Sequence, residues 1–151
     1  MDSIADRKPI VQVLSTGEKH FVTIHYDFSK VTLYDSLGIR PTKKLREQVL
    51  ALFSVDGKAP QVVIPKVHKQ AYRSNNCAVF AAAFMADICF GKSVLGAIYV
   101  DSQSQRNWLL DVLQSGRLIP CSHLVEKPSR FAETNPPDCK LQVSVSNMIK
   151  I

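Results

Sequence analysis

From residue 9 onward, short β-branched and aromatic stretches give way to longer runs with helical spacing. Residues 9–14 (Pro9 to Leu14) and 20–26 (His20 to Tyr26) have strand composition, and Ser15 to Lys19 between them is turn material, which predicts a hairpin. Asp27 to Lys30 reads as a second turn and Val31 to Tyr34 as a third strand, ending at Asp35-Ser36. Alternation places His20, Val22, Ile24 and Tyr26 on one face of the second strand and Phe21, Thr23 and His25 on the other. Leu45, Val49, Leu52 and Phe53 recur at helical spacing within 41–53, with charged and amide side chains on the opposite side, and predict an amphipathic surface helix. Asp56-Gly57 closes that segment, Gln61 to Ile64 reads as a fourth strand, and Lys69 to Asn76 as a polar loop. Cys77 to Phe90 is apolar on every side except for Asp87 and stops at Gly91, as a central buried helix would. Ser102 to Gln114 predicts a further helix with Trp108, Leu109, Val112 and Leu113 as its apolar side and Gly116 as its stop. Beyond Pro128 the chain is polar and Pro-rich, with one more strand expected at Leu141 to Val145. With no internal repeat, the expectation is one α+β domain over residues 1–127 and a loosely specified tail over 128–151.

The 151 residues, 46% hydrophobic and 21% charged, suit a globular chain with its own core and exclude a disordered or fibrous one. The longest apolar run, Cys77 to Phe84, is soon broken by Asp87 and is too short for a bilayer, so no membrane association is expected. The first eight residues set acids beside bases with no apolar stretch behind them, unlike a signal peptide, which points to an intracellular chain of the nucleus or cytoplasm. Cys77, Cys89, Cys121 and Cys139 are widely spaced, without a Cys-x-x-Cys pair. That argues against zinc and a disulfide framework, so no metal or other cofactor is expected. Cys89 reads as packing, and Cys121 and Cys139 as surface thiols. The net charge of +6 is uneven: residues 1–76 hold twelve basic and seven acidic groups, residues 77–151 seven and six. Lys43, Lys44, Arg46, Lys58, Lys66, Lys69 and Arg73 are not interleaved with aromatics, so they read as a solvated basic face and direct nucleic-acid binding is not expected. Such a face could steer an acidic partner.

Chemistry enters at Cys77. As the first residue of a buried helix, its sulfur would lie near unsatisfied backbone N–H groups and the positive end of the helix dipole, a setting that favours an anion. His20 beside a strand and Asp35 at the end of the next supply a base and a carboxylate to orient it. Spacing alone leaves this open, because four Cys and four His offer many such triples and a Cys opening an apolar helix also serves as core filling. His25, His68 and His123 have no comparable context, and Tyr34 reads as a core or rim aromatic.

The local sequences are more specific. His20 to Ile24, Val31 to Leu37, Gln70, and Asn76-Cys77-Ala78-Val79-Phe80-Ala81 together closely resemble the ubiquitin-like-protein-specific cysteine proteases, a family that includes the SUMO proteases and the adenoviral protease. The order His, Asp, Gln, Cys is the same. Phe90-Gly91, Arg106 to Leu110 and Gly116 to Pro120 look like that family's C-terminal helix and exit, particularly in transposon-associated members, so the resemblance spans about residues 9–121. It implies a papain-like α+β core, in which a helix beginning at the nucleophile packs on a short mixed sheet. It also implies a thiol peptidase or isopeptidase cleaving after the Gly-Gly tail of a SUMO-type or related modifier, or of its conjugates. Cys77 would attack the carbonyl, His20 would serve as general base and then acid, Asp35 would orient His20, and Gln70 would complete the oxyanion hole with the Cys77 backbone N–H. Phe21 and Asn76 would lie on the substrate side.

The sequence departs from the family pattern at Phe21, which replaces Trp, and at Asn76, which replaces an Asp and so removes a negative charge from beside the sulfur. Ala78 stands where Gly follows the nucleophile, which matters if that position needs positive φ or close backbone approach. Gln70 precedes Cys77 by seven residues, one more than is usual in the family. The family also carries further structure ahead of the His strand, including a Trp over the Gly-Gly tail, whereas here nineteen residues precede that strand and the sole tryptophan, Trp108, reads as core. These departures support an alternative: a catalytically weak or inactive remnant that binds a partner through the former groove.

Overall fold

The computed structural model describes residues 9–99, 103–121 and 123–125, the last three as backbone only. Strands β1 (Ile10–Ser15) and β2 (Phe21–Tyr26) form the expected hairpin, with Ser15 facing Phe21 and Ile10 facing Tyr26. Strand β3 (Lys30–Tyr34) returns antiparallel to β2. Asp27 shapes the turn between them by accepting the Ser29 and Lys30 backbone N–H groups, each at 3.0 Å. Helix α1 (Lys43–Phe53), capped by Thr42 Oγ1 accepting the Leu45 N–H at 3.2 Å, carries the chain to β4 (Gln61–Val63), which lies parallel to β3. The result is a four-stranded mixed sheet in sequential order.

Leu45, Val49 and Phe53 of α1 pack on Val22, Ile24, Tyr26, Val31 and Leu33 and bury one face of this sheet. Leu52, expected in the same stripe, is 53% exposed. At 100° per residue it stands about 60° round the helix from Val49, the centre of the stripe.

The other face is covered by α2 (Cys77–Cys89), which contacts β1 and β2. Ala81 has no long side chain to hold the helix off the sheet, and the buried Thr23 hydroxyl donates to its carbonyl oxygen at 2.6 Å. On its far side, α2 contributes Phe80, Ala83 and Phe84 to a second apolar cluster with Val94, Tyr99 and Cys121. Burial on both sides explains why its sequence lacks an amphipathic stripe. Trp108 of α3 (Gln103–Ser115) packs against the second cluster, as a core reading expects, and its indole N–H donates to the Ile119 carbonyl at 3.1 Å. The apolar side of α3 is narrower than predicted: Val112 is buried, but Leu113 is 60% exposed.

A small antiparallel ladder of β5 (Ile98–Tyr99) and β6 (His123–Val125) was not anticipated, because two or three residues are too few to display alternation. Cys121 corrects the sequence reading: it is buried, and its thiol donates to Asp87 Oδ1 at 3.4 Å. Asp87, the single charged residue of α2, also accepts the Tyr99 hydroxyl. Burial, followed by the Asp87 charge, pushes both the Tyr99 phenol and the Cys121 thiol well above their ordinary ranges. Cys139 and the strand expected at 141–145 lie outside the described residues. Among the described residues, no helix is long and apolar enough to cross a membrane.

Candidate active site

The sheet brings His20 and Asp35 together. Thr23 pairs with Tyr34, so one further step sets Asp35 across from Val22, two residues from His20 and on the same face. His20 lies one residue before β2 rather than within it, at the end of a turn in which the Thr16 N–H donates to its carbonyl at 2.9 Å. Its Nε2 donates to Asp35 Oδ1 at 2.7 Å, and both side chains are buried. The same oxygen accepts the Leu37 N–H at 2.8 Å, within a turn closed by the Gly38 N–H on the Asp35 carbonyl at 3.2 Å. Asp35 is thus folded back on its own backbone and fixed toward the imidazole.

A carboxylate only accepts, so Nε2 carries the proton and Nδ1 is the nitrogen left to act as a base. Nδ1 is buried without a hydrogen bond of good geometry among the described residues. Cys77, half-buried at the start of α2, neighbours the same imidazole, and its Sγ lies 3.7 Å from the carbonyl oxygen of Lys19, the residue before His20. Burial pulls the His20 pKa down, but the hydrogen bond to Asp35, the Cys77 sulfur and the Asp35 charge outweigh it, and the net shift is upward. Burial pushes Asp35 up, but the His20 hydrogen bond, the Leu37 N–H and the imidazole charge outweigh it, and the net shift is downward. His20, Asp35 and Cys77 therefore form one constellation drawn from a hairpin end, a strand end and a helix start.

The first turn of α2 leaves donors near the sulfur. Asn76 is buried at the N-cap position but makes no capping hydrogen bond to the helix through its side chain, and the first helical bond is the Phe80 N–H on the Asn76 carbonyl at 2.9 Å. Ala78 is an ordinary helical residue and is absent from the positive-φ positions Lys19, Phe28, Asp56 and Arg73, so its Cβ carries no conformational cost. Phe21 is the half-buried first residue of β2.

Gln70 is buried, with both ends of its amide engaged. Oε1 accepts the Ser36 hydroxyl at 2.7 Å, while Nε2 donates to the Ser74 carbonyl at 2.7 Å and contacts the Ser74 hydroxyl at 3.2 Å. Its backbone N–H also donates to the Ser36 carbonyl at 3.0 Å. Gln70 thus ties the residue after Asp35 to the loop that leads into Cys77. Ser36 and Ser74 were not singled out from the sequence, because short polar residues in turns are common and only the folded loop pairs them.

The remaining histidine with described contacts is structural: the Tyr99 N–H donates to His68 Nδ1 at 2.9 Å, and the two rings stack at 14°. Cys77, Cys89 and Cys121 form no disulfide among the described residues. No family model, curated protein or solved structure matches the chain.

Proposed function

We propose that this chain is a thiol peptidase or isopeptidase of the ubiquitin-like-protease type, with a papain-like core and a SUMO-type or related modifier as its substrate. The observation that carries this reading is the buried imidazole of His20, fixed through Nε2 by Asp35 and left with Nδ1 beside the half-exposed Cys77. In the first step the Cys77 thiol gives its proton to Nδ1 while sulfur bonds to the substrate carbonyl carbon, and the carbonyl π electrons move to oxygen. The Cys77 backbone N–H at the start of α2 receives that oxyanion, and such a donor typically lowers the barrier by about 2.7–4 kcal/mol. His20 then protonates the leaving amine as the C–N bond breaks, leaving an acyl-enzyme that water hydrolyses with His20 again as the base. Gln70 is the second oxyanion donor in this reading, and its Nε2 would exchange Ser74 for the substrate oxygen.

The engagement of Gln70 favours one other reading, a binding module that retains the groove without turnover. A panel of ubiquitin and ubiquitin-like proteins with C-terminal electrophiles separates the two. The expected result is a covalent adduct by intact mass that is lost in Cys77→Ala and strongly slowed in His20→Ala. A folded chain that forms no adduct but binds one of these modifiers would establish the module instead.

A further inference from the structure

Several cations on the segments that carry or adjoin His20, Asp35 and Cys77 have no acidic partner among the described residues. Among the described residues, ion pairs join His20 to Asp35 and Lys43 to Glu47, which leaves Lys19, Lys44, Lys69 and Arg73 without an acidic partner. The Lys19 carbonyl lies 3.7 Å from the Cys77 sulfur. Lys44 lies against the hairpin turn that leads to His20, since a Cβ at Gly17 would meet its Nζ at 2.5 Å. Lys69 lies against the turn that follows Asp35, since a Cβ at Gly38 would meet its Cε at 2.7 Å. Glu18 is the exposed acid in this neighbourhood, and Asp35 is committed to His20.

The loop before the nucleophile adds an aromatic to this charge. Residues 71–74 form a tight turn closed by the Ser74 N–H on the Ala71 carbonyl at 3.0 Å, and Gln70 staples it to Ser36. Arg73 holds a φ of +59°, at the turn position where glycine is the usual choice. Tyr72 beside it is 88% exposed, with the Arg73 guanidinium 5.2 Å from the centre of its ring. A strained arginine and a bare tyrosine on a stapled turn contribute little to the fold, and such strain is characteristic of ligand-clamping positions.

We infer that the Tyr72–Arg73 turn, together with Lys19 and Lys69, recognises an acidic polypeptide, seating side-chain carboxylates on the cations and an adjoining segment on the Tyr72 ring. The inference rests on the reading of Cys77 as nucleophile, because that reading makes a polypeptide carbonyl the group to be delivered. A single aromatic amid these cations is not the stacking series that a nucleic-acid strand requires.

Two experiments test it. In the first, the Cys77→Ala chain is titrated with a fluorescent Glu-rich peptide ending in Gly-Gly, its Gln-rich counterpart, and a single-stranded oligonucleotide. The expected preference for the Glu-rich peptide over the Gln-rich one is about tenfold, the scale set by one or two charge-assisted contacts. Arg73→Glu and Lys69→Glu abolish that preference, Arg73→Lys retains part of it, and Tyr72→Ala weakens both peptides alike. Equal affinity for the two peptides, a preference untouched by these substitutions, or oligonucleotide binding as tight as that of the Glu-rich peptide would overturn the inference.

The second experiment needs no turnover. The site-resolved alkylation rate at Cys77 is compared for anionic iodoacetate and neutral iodoacetamide, and the ratio falls in Arg73→Glu if the cations set the local potential. If that ratio falls while no ubiquitin-like adduct forms, acidic recognition stands and the peptidase reading fails. If the adduct forms and the ratio is unmoved, the opposite holds. Lys69, Tyr72 and Arg73 are exposed, and a thermal unfolding curve confirms the fold of each variant, Cys77→Ala included.

Discussion

Between His20 and Asp35 a single short hydrogen bond joins two buried titratable groups whose pKa values have moved in opposite directions, and stability inherits a pH window from them. Asp35 is lowered from 3.8, so its contribution is present above that value and is lost as pH falls through the lower folded-state value. His20 is raised from 6.5, so its contribution is complete below that value and is lost as pH rises through the higher folded-state value. The pair therefore contributes most between 3.8 and 6.5. The stability difference between wild type and Asp35→Asn should peak in that interval, as measured by urea unfolding over roughly pH 3 to pH 9. A flat difference curve would show that the two groups are not coupled in the folded state. Ala78 gives a second residue-scale expectation. Because it is helical, Ala78→Gly should lower stability by about 0.5–1 kcal/mol and leave the rate of adduct formation at Cys77 unchanged. A large gain in that rate would mean that the Ala78 side chain obstructs the substrate.

Helix α2 is anchored to its neighbours by polar contacts inside otherwise apolar layers, and each anchor can be weighed. Thr23→Val preserves shape but removes the hydroxyl bonded to the Ala81 carbonyl, which should cost about 1 kcal/mol in chemical denaturation. On the opposite side, Tyr99 and Cys121 share the Asp87 carboxylate. Asp87→Asn and Tyr99→Phe should each destabilise the chain, and in a double-mutant cycle they should couple by about 0.5–3 kcal/mol, whereas additivity would mean that the buried hydroxyl and carboxylate act independently. These anchors also mark how far sequence carries. The hairpin, the third and fourth strands, α1, α2 and the positions of His20, Asp35 and Cys77 were legible, because each follows from local alternation, a turn or a helix start, whereas the mixed pairing of the sheet was implied only by the family resemblance. The ladder of β5 and β6, the burial of Cys121 and the use of His68 as an acceptor for the Tyr99 N–H were not, because each depends on segments far apart in sequence meeting beyond α2. Gln70 falls between the two: its presence in the loop was legible, and its bridge from Ser36 to Ser74 was not.

At the scale of the whole molecule, one apolar cluster lies between α1 and the sheet, and the second lies on the far side of α2, which covers the sheet's other face. The site depends on both, since His20 and Asp35 flank the strands that α1 covers and Cys77 opens the helix that Phe80 and Phe84 anchor on the other side. If the strands transmit packing from one cluster to the other, the described residues unfold as one cooperative unit. The sole tryptophan makes this measurable, because Trp108 packs against the second cluster and not against α1. Leu45→Ala, made in the first cluster, should destabilise the chain by about 2–5 kcal/mol. It should also shift the Trp108 fluorescence midpoint together with the far-UV circular dichroism midpoint. If the fluorescence midpoint stays in place while the dichroism midpoint falls, the clusters are separate units. The Cys77 to His20 geometry would then open at the junction of the sheet with α2 before the rest of the fold is lost.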